Sequence, residues 1–202
     1  MTDRLEQALK DAQRIGAPVY DHHYGKGSLS QLEGVHPEIV ILAKLTIRLC
    51  QYDGTIIPGG GLRTEEQAQE NAANGTGIVN SVHRKQADGY GHAVDVIPYV
   101  NGKATWEMKY CTAMADAAKL ASALLSIPIR QGCDWDMDGT FGETGEYDWC
   151  HHELPLQNGP YWERANAELK RYAEQVVGFT GGETNNSISC PHCGQQVTLG
   201  KA

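Results

Sequence analysis

Apolar residues recur at the three-to-four-residue spacing of an α-helix over several segments of the chain. Such a repeat places the apolar side chains on one face, which can then pack against a core. Pro37 suits the first turn of a helix, and Thr64 with Gln67 forms a capping box that opens another. The pattern predicts helices over residues 3–15, 37–50, 64–74, 105–126 and 161–177.

Short apolar or alternating segments between these helices are typical of β-strands. Strands are predicted over residues 55–58, 93–100, 127–130 and 151–154. Residues 16–35 are rich in glycine and are expected to be irregular. Because helices and short strands are mixed without a repeating βαβ order, the pattern predicts an α+β fold with a small antiparallel sheet flanked by helices.

The composition indicates one globular domain with a short appendage. The 202 residues are 41% hydrophobic and 21% charged, which permits a packed core and argues against wholesale disorder. The net charge of −8 is the opposite of the basic surface that duplex binding needs, so nucleic acid is disfavoured as a partner. No segment approaches the roughly 18 apolar residues of a membrane span, so no membrane insertion is expected.

The N-terminus and the cysteines bear on where the protein is made. The first residues lack the basic stretch followed by an apolar run that marks a secretory signal. No such signal is predicted, and synthesis in a cytoplasm is expected. The six cysteines are too few for a disulfide scaffold and are expected to be reduced thiols.

The composition changes after Phe179. Residues 1–179 are predicted to form the domain, residues 180–189 a flexible linker, and residues 190–202 a short tail. The tail carries Cys190-Pro191-His192-Cys193, half of a zinc ribbon, whereas a structural zinc site normally needs four ligands. Two interpretations stay open: a mobile or truncated tail, and a zinc ion shared with another chain or another cysteine pair.

Candidate chemistry lies in two His- and Asp-containing stretches, Ser81–Asp95 and Asp148–Pro155. A catalytic zinc site uses three N or O ligands and keeps one position open. His83 and Asp95 can supply two of them, and the pair His151 and His152 can supply the third. If that pair is extended, the two rings point to opposite faces, so only one can be a ligand, and alternation alone does not decide which.

Three further side chains could act beside such a metal. Asp148 is a candidate general base that takes a proton from water and returns it to the leaving amine, with Glu153 as its rival. Arg63 could hold a carboxylate or stabilise an oxyanion, or it could merely pair with Glu66. Ser81 could line the cleft or serve as an ordinary turn hydroxyl.

The ordered stretches resemble the VanY-like zinc D,D-carboxypeptidase family, specifically its phage L-alanyl-D-glutamate endopeptidase (endolysin) branch. The shared pattern is Ser-x-His, then Gly-x-Ala-x-Asp, then an acidic residue three positions before a His. Leu29–Pro37, Gly61–Thr64 and Asp95–Lys103 also look like segments of those endolysins. The resemblance covers roughly residues 28–157.

The resemblance implies a fold like that of hedgehog and D-Ala-D-Ala peptidases, and it favours His151 over His152 as the third ligand. It implies that His83, Asp95 and His151 bind zinc and that Asp148 is the general base. Arg63 and Ser81 would lie in the substrate cleft.

The implied function is cleavage of the peptidoglycan stem peptide at the L-alanyl-D-glutamate bond during phage lysis. The alternatives are a D-alanyl-D-alanine carboxypeptidase and a non-catalytic zinc- or wall-binding module on the same fold. The expected protein is a monomer in the host cytoplasm that reaches the wall after the membrane is permeabilised.

Two features depart from or add to this pattern. The family usually has six residues between its first His and its Asp, whereas residues 84–94 separate them here. The polar insert at residues 84–90 is expected to lengthen a hairpin, leaving both ligands in place or shifting the cleft edge.

The second feature is an acidic loop with Asp134, Asp136, Asp138 and Gly139 at the spacing of a calcium loop. The twelfth position is Gly145 rather than a glutamate, so the match is partial. Some endolysins that the chain resembles respond to calcium, and Ca²⁺ is therefore a candidate second cofactor.

Overall fold

A computed structural model describes residues 2–176 and two further short strands near the C-terminus. The helices are α1 (Thr2–Arg14), α2 (Lys26–Gln31), α3 (Pro37–Leu49), α4 (Glu65–Ala73), α5 (Met108–Leu125) and α6 (Trp162–Val176). The strands are β1 (Asp53–Thr55), β2 (Ala93–Asp95), β3 (Ile97–Val100), β4 (Lys103–Ala104), β5 (Arg130–Gly132), β6 (Asp148–Glu153), β7 (Ser187–Ser189) and β8 (Gln196–Thr198). The five predicted helices and the α+β class are confirmed, with helix ends shifted by up to three residues.

Helices α3 and α5 pack against each other and form the centre of the hydrophobic core. Leu42 and Leu45 of α3 and Met114 and Ala118 of α5 are completely buried. Such residues recur every three or four positions, which gives each helix one continuous apolar face. Helix α1 covers the same core through buried alanines.

Strands β1 to β6 form two small three-stranded antiparallel sheets, in the orders β1-β3-β4 and β2-β6-β5, and β7 and β8 form a separate pair. The prediction of one strand over residues 93–100 is wrong, because the chain changes sheets at Val96. The Val96 amide donates to the Cys150 carbonyl, and the next residues pair with β1 instead. Alternation of apolar residues shows which face is buried but cannot show which strand lies alongside.

Helix α2 lies within the segment that was expected to be irregular. Its glycine and serines have little intrinsic helix propensity, so tertiary contacts stabilise it. The Ser28 hydroxyl accepts from the Ile56 amide at 3.1 Å, and the Gln31 side chain accepts from the Gly59 amide at 3.1 Å. These contacts fasten α2 to the segment that leads into the functional site.

The predicted linker and tail lie largely outside the described residues. Cys190 and Cys193 are not described, and neither are residues 177–186. Strands β7 and β8 pair antiparallel, with Ile188 opposite Val197. Within the described part of the chain, no helix is long and apolar enough to cross a membrane.

The core gives a direct stability prediction. Replacing Leu42 by alanine should lower the free energy of unfolding by about 2–5 kcal/mol, because the cavity between α3 and α5 cannot collapse fully. Leu29→Ala, at a side chain that is 42% exposed, is the control and should change it far less. Urea denaturation measures both, and equal losses would contradict this account of the core.

Candidate metal centre

Pairing between β2 and β6 creates the centre of the candidate site. The register places Asp95 directly opposite His151, and His83 reaches the same point from the turn that follows Ser81. His83 Nε2 lies 3.1 Å from His151 Nδ1, and Asp95 Oδ1 lies 3.2 Å and 3.1 Å from these two nitrogens. Three donor atoms from distant parts of the sequence thus form a nearly equilateral triangle.

This triangle has the dimensions that a tetrahedral ion requires. Ligand atoms about 2.0 Å from a tetrahedral zinc ion lie about 3.3 Å from one another. The observed separations of 3.1–3.2 Å are close to that edge. Two imidazole nitrogens and one carboxylate oxygen are also a donor set that such ions accept, so the residues fit a metal ion.

The outward-facing nitrogen of each ring is occupied, which orients the inward-facing one. His83 Nδ1 lies 2.8 Å from the Gly61 carbonyl oxygen, and His151 Nε2 lies 3.0 Å from Glu153 Oε2. Both partners accept hydrogen bonds, so each ring donates outward and directs its other nitrogen to the centre. This is the usual outer arrangement around histidine metal ligands.

Arg63 contacts the centre through Asp95 rather than pairing with Glu66. Its Nη2 donates to Asp95 Oδ2 at 2.6 Å, and its Nε donates to the Gly59 carbonyl oxygen. Burial by itself would raise the pKa of Asp95, but the imidazoles of His83 and His151 outweigh it and hold the pKa well below its usual range. Asp95 therefore stays a carboxylate, as a metal ligand must.

The electrostatic potential at His151 favours a cation. Burial would lower the pKa of His151, but hydrogen bonds to Asp95 and Glu153 outweigh it and raise the pKa to about 10. The same negative charges that hold a proton on the ring would hold a divalent ion, which displaces that proton on binding.

Asp148 is brought to the site by an irregularity in β6. Gln131 of β5 pairs with His152, but the next residue, Gly132, pairs with Asp148, so residues 149–151 have no partner in β5. Asp148 is exposed, yet the protein packed around its carboxylate raises its pKa, with His151 opposing the rise and Asp95 adding to it. A solvent-facing carboxylate with a raised pKa is suited to proton transfer.

Burial and hydrogen bonds show the surroundings of the remaining candidates around β6 and His83. His152 is fully buried, and burial lowers its pKa to about 3, so it is a neutral core side chain. Glu153 shares the face of His151, as strand alternation predicts. Its carboxylate accepts a hydrogen bond from that ring, which occupies the side chain that was the rival candidate for the general base. The Ser81 hydroxyl is buried and accepts from the His83 amide at 3.3 Å.

The polar insert forms a hairpin that leaves the group of His83, Asp95 and His151 intact. The Gln86 amide donates to the Tyr90 carbonyl at 2.8 Å, and Lys85 bridges to Gly91. The hairpin also creates a second His-Asp-His group through Asp88. In that group, His36 Nδ1 accepts a hydrogen bond from the Glu38 amide, so the neutral ring carries its proton on Nε2. The ring therefore offers no lone pair to a metal ion on the side of Asp88.

The acidic loop contains a residue that the motif did not include. Donor atoms of Asp134, Asp136 and Glu146 lie within 4.8 Å of one another. Glu146 Oε1 accepts from the Asp136 amide at 3.1 Å, while Oε2 is buried and has no hydrogen-bond partner among the described residues. Asp138 instead groups with Asp136 and the exposed Glu143. The turn before β6 therefore brings Glu146, which lies one position beyond the motif, into the acidic group.

Comparison with known proteins identifies the family of this chain. The model of the phage L-alanyl-D-glutamate peptidase family matches residues 21–155, about two thirds of the chain and all of the candidate site. This chain belongs to that family. The L-alanyl-D-glutamate peptidase of Escherichia phage T5 is 36% identical over 135 residues, which is 65% of this chain and 96% of the relative.

The family fold is also found among solved structures. The crystal structure of the Serratia marcescens L-Ala D-Glu endopeptidase ChiX superposes on this peptidase family member with a TM-score of 0.53 and 25% identity. The match covers 68% of this chain and 94% of ChiX. Helix α6 and the C-terminal strands begin beyond residue 155 and lie outside the segment that the family model matches.

Close approach of β5 to Asp148 gives a testable prediction. A Cβ added at Gly132 would lie 2.7 Å from Asp148 Cβ, so Gly132→Ala should force the strands apart and lower the free energy of unfolding by about 1–3 kcal/mol. Gly25→Ala is the control, because Gly25 has φ −70° and open space around it. Equal thermal denaturation midpoints for the two variants would contradict the contact.

Proposed function

We propose that this protein is a zinc-dependent endopeptidase that cleaves the L-alanyl-D-glutamate bond of the peptidoglycan stem peptide as a phage endolysin. Membership of the phage L-alanyl-D-glutamate peptidase family supports the reaction. The observation that carries the metal assignment is the triangle of donor atoms from His83, Asp95 and His151, with edges of 3.1–3.2 Å.

His83, Asp95 and His151 are the proposed ligands. Two neutral imidazoles and one carboxylate are a common set for catalytic zinc, which leaves one coordination position for solvent or substrate. When bound, such an ion supplies a Lewis acid for the scissile carbonyl and lowers the pKa of a water molecule. The outward bonds to Gly61 and Glu153 keep both rings oriented for this role.

Asp148 is the proposed general base and acid. Its raised pKa lets the carboxylate accept a proton from the attacking water and then release that proton to the leaving amine. Asp148 is exposed at the start of β6, so a substrate can approach it from solvent. The proton returned to the amine completes peptide cleavage with no net proton uptake by the enzyme.

Arg63 and Ser81 are the proposed substrate-cleft residues. Arg63 donates through Nη2 to Asp95 and through Nε to the Gly59 carbonyl. Its Nη1 is therefore the group that would bind a substrate carboxylate or a developing oxyanion. The Ser81 hydroxyl accepts from His83 and still has its own proton to donate.

The general-base proposal is tested by Asp148→Ala. Hydrolysis of purified muropeptides should fall at least about a hundredfold, because the proton acceptor is gone, while zinc content stays near one ion per chain. Asp21→Ala is the control at a carboxylate that is 92% exposed, and it should retain wild-type activity. Unchanged hydrolysis by Asp148→Ala would refute the assigned role.

The products of the same assay test the bond that is cut. Mass spectrometry should find a free D-glutamate amino terminus on the released peptide. Release of D-alanine alone would indicate a carboxypeptidase and overturn the proposed specificity.

We further propose that the enzyme is a monomer that accumulates in the host cytoplasm and reaches the wall once the membrane is permeabilised. The phage family to which the chain belongs supports this setting. We also propose that the domain ends near residue 179 and that a flexible linker joins it to the CxxC tail.

A second proposal is that the acidic loop binds calcium through Asp134, Asp136 and Glu146, with Asp138 beside them. Buried Glu146 presents an unpartnered oxygen to the group, and carboxylate oxygens are what Ca²⁺ prefers. Burial, followed by the nearby charge of Glu168, raises the pKa of Asp134 to about 7 even though Lys119 pairs with both carboxylates and opposes the rise.

Calcium titration tests this site. At a calcium concentration about a hundredfold above its Kd, binding should stabilise the protein by about 2.7 kcal/mol, which raises Tm by roughly 5–10 °C. Glu146→Gln should abolish the rise, whereas Glu33→Gln, at an exposed acid outside the loop, should keep it. A Tm that does not respond to calcium in the wild-type protein would remove the proposal.

A further inference from the structure

Arg130 lies beside the group of His83, Asp95 and His151 and makes polar contacts with two segments that touch His151. It stands on β5 opposite Glu153, and its side chain is only 16% exposed. Its Nη1 donates to Glu153 Oε1 at 3.1 Å, and its Nε donates to the Trp135 carbonyl oxygen at 2.9 Å.

The partners of Arg130 are the groups that contact the His151 ring from outside the metal centre. Glu153 uses its other carboxylate oxygen, Oε2, to accept from His151 Nε2 at 3.0 Å. The Trp135 ring lies 5.3 Å from the His151 ring, centroid to centroid. One guanidinium therefore fixes both the hydrogen-bond acceptor and the aromatic neighbour of this histidine.

Aromatic rings hold the guanidinium itself in place. Its central carbon lies 4.4 Å from the Trp135 ring centroid and 3.8 Å from the Tyr161 ring centroid. Planar guanidinium groups stack on such rings and present their donors in a fixed plane, which a lysine ammonium does not. The Arg130 guanidinium is thus held by hydrogen bonds at its N–H groups and by aromatic rings at its planar faces.

Glu153 needs this partner because its carboxylate is buried. Without Arg130 this carboxylate would lose a charged partner in a buried position, which favours its turning toward solvent. That movement would free His151 Nε2 from its acceptor and let the ring rotate. Arg63 has the corresponding position at Asp95, so each of these two carboxylates has its own arginine.

We propose that Arg130 is a positioning residue of the metal centre, which acts through Glu153 to keep the Nδ1 atom of His151 directed at the ion. This inference rests on the proposed function, in which His151 is a metal ligand. Removing the outer partner of a metal-bound histidine commonly weakens metal binding by about 10–100-fold.

The test measures zinc affinity by competition with a chelator, on apo-protein, separately from catalysis. Arg130→Gln should raise the zinc Kd about 10–100-fold, and Arg130→Lys, which keeps the charge but not the fork of donors, should raise it less. If Arg130→Gln does not fold, Arg130→Lys alone carries the test, and a wild-type Kd for it would overturn the proposal.

Arg4→Gln is a matched control, because Arg4 likewise contacts one carboxylate, Glu38 at 2.7 Å, and one backbone carbonyl, Leu125 at 3.1 Å. Its partners are not the groups that surround His151, so its loss should lower Tm and leave the zinc Kd unchanged. An equal rise in Kd for both arginine variants would show a general effect of destabilisation and refute the positioning role.

A double-mutant cycle tests the route through Glu153. In a Glu153→Gln background, adding Arg130→Gln should raise the zinc Kd less than about twofold further, because both changes remove one linkage. Full additivity of the two effects would overturn the route. If the wild-type protein neither binds zinc nor cleaves muropeptides, the proposed function fails; if it does both and Arg130→Gln keeps the wild-type Kd, only this inference fails.

Discussion

The antiparallel pairing of β2 with β6 is the constraint on which the rest of the site depends. It places Asp95 opposite His151, and a slip of one residue would direct His152 to the centre in its place. Register is fixed because His152 and Val94 are completely buried on the core face. The same burial that stabilises the domain thus decides which histidine of the adjacent pair can meet a metal ion.

Charge compensation makes this crowded centre stable. Two carboxylates that are largely removed from water would repel each other and resist burial. Arg63 pairs with Asp95 and Arg130 pairs with Glu153, so that each negative charge is neutralised by a fixed donor. The imidazoles lie between these pairs and keep their inward nitrogens for an incoming cation. Breaking either pair would leave a buried charge, which is why these contacts matter more than exposed ion pairs do.

Irregular backbone supplies the parts of the site that regular strands cannot. The shift of register between β5 and β6 brings Asp148 against Gly132 and moves residues 149–151 out of the ladder. An insertion is also tolerated, since residues 84–90 form a hairpin while His83 and Asp95 still meet. The domain therefore combines a fixed triangle of His83, Asp95 and His151 with a neighbouring loop that can vary in length.

Helical periodicity and short motifs are local properties, so the sequence alone predicted the helices, the α+β class and, as candidate ligands, His83, Asp95 and the adjacent pair His151 and His152. It could not determine that residues 93–100 divide between two sheets, that Arg130 lies behind Glu153, or that Arg63 contacts Asp95 rather than Glu66. These facts depend on which distant backbones pack together. Tertiary packing also decided between the two adjacent histidines: alternation separates their faces, but only the buried core shows which face is inside.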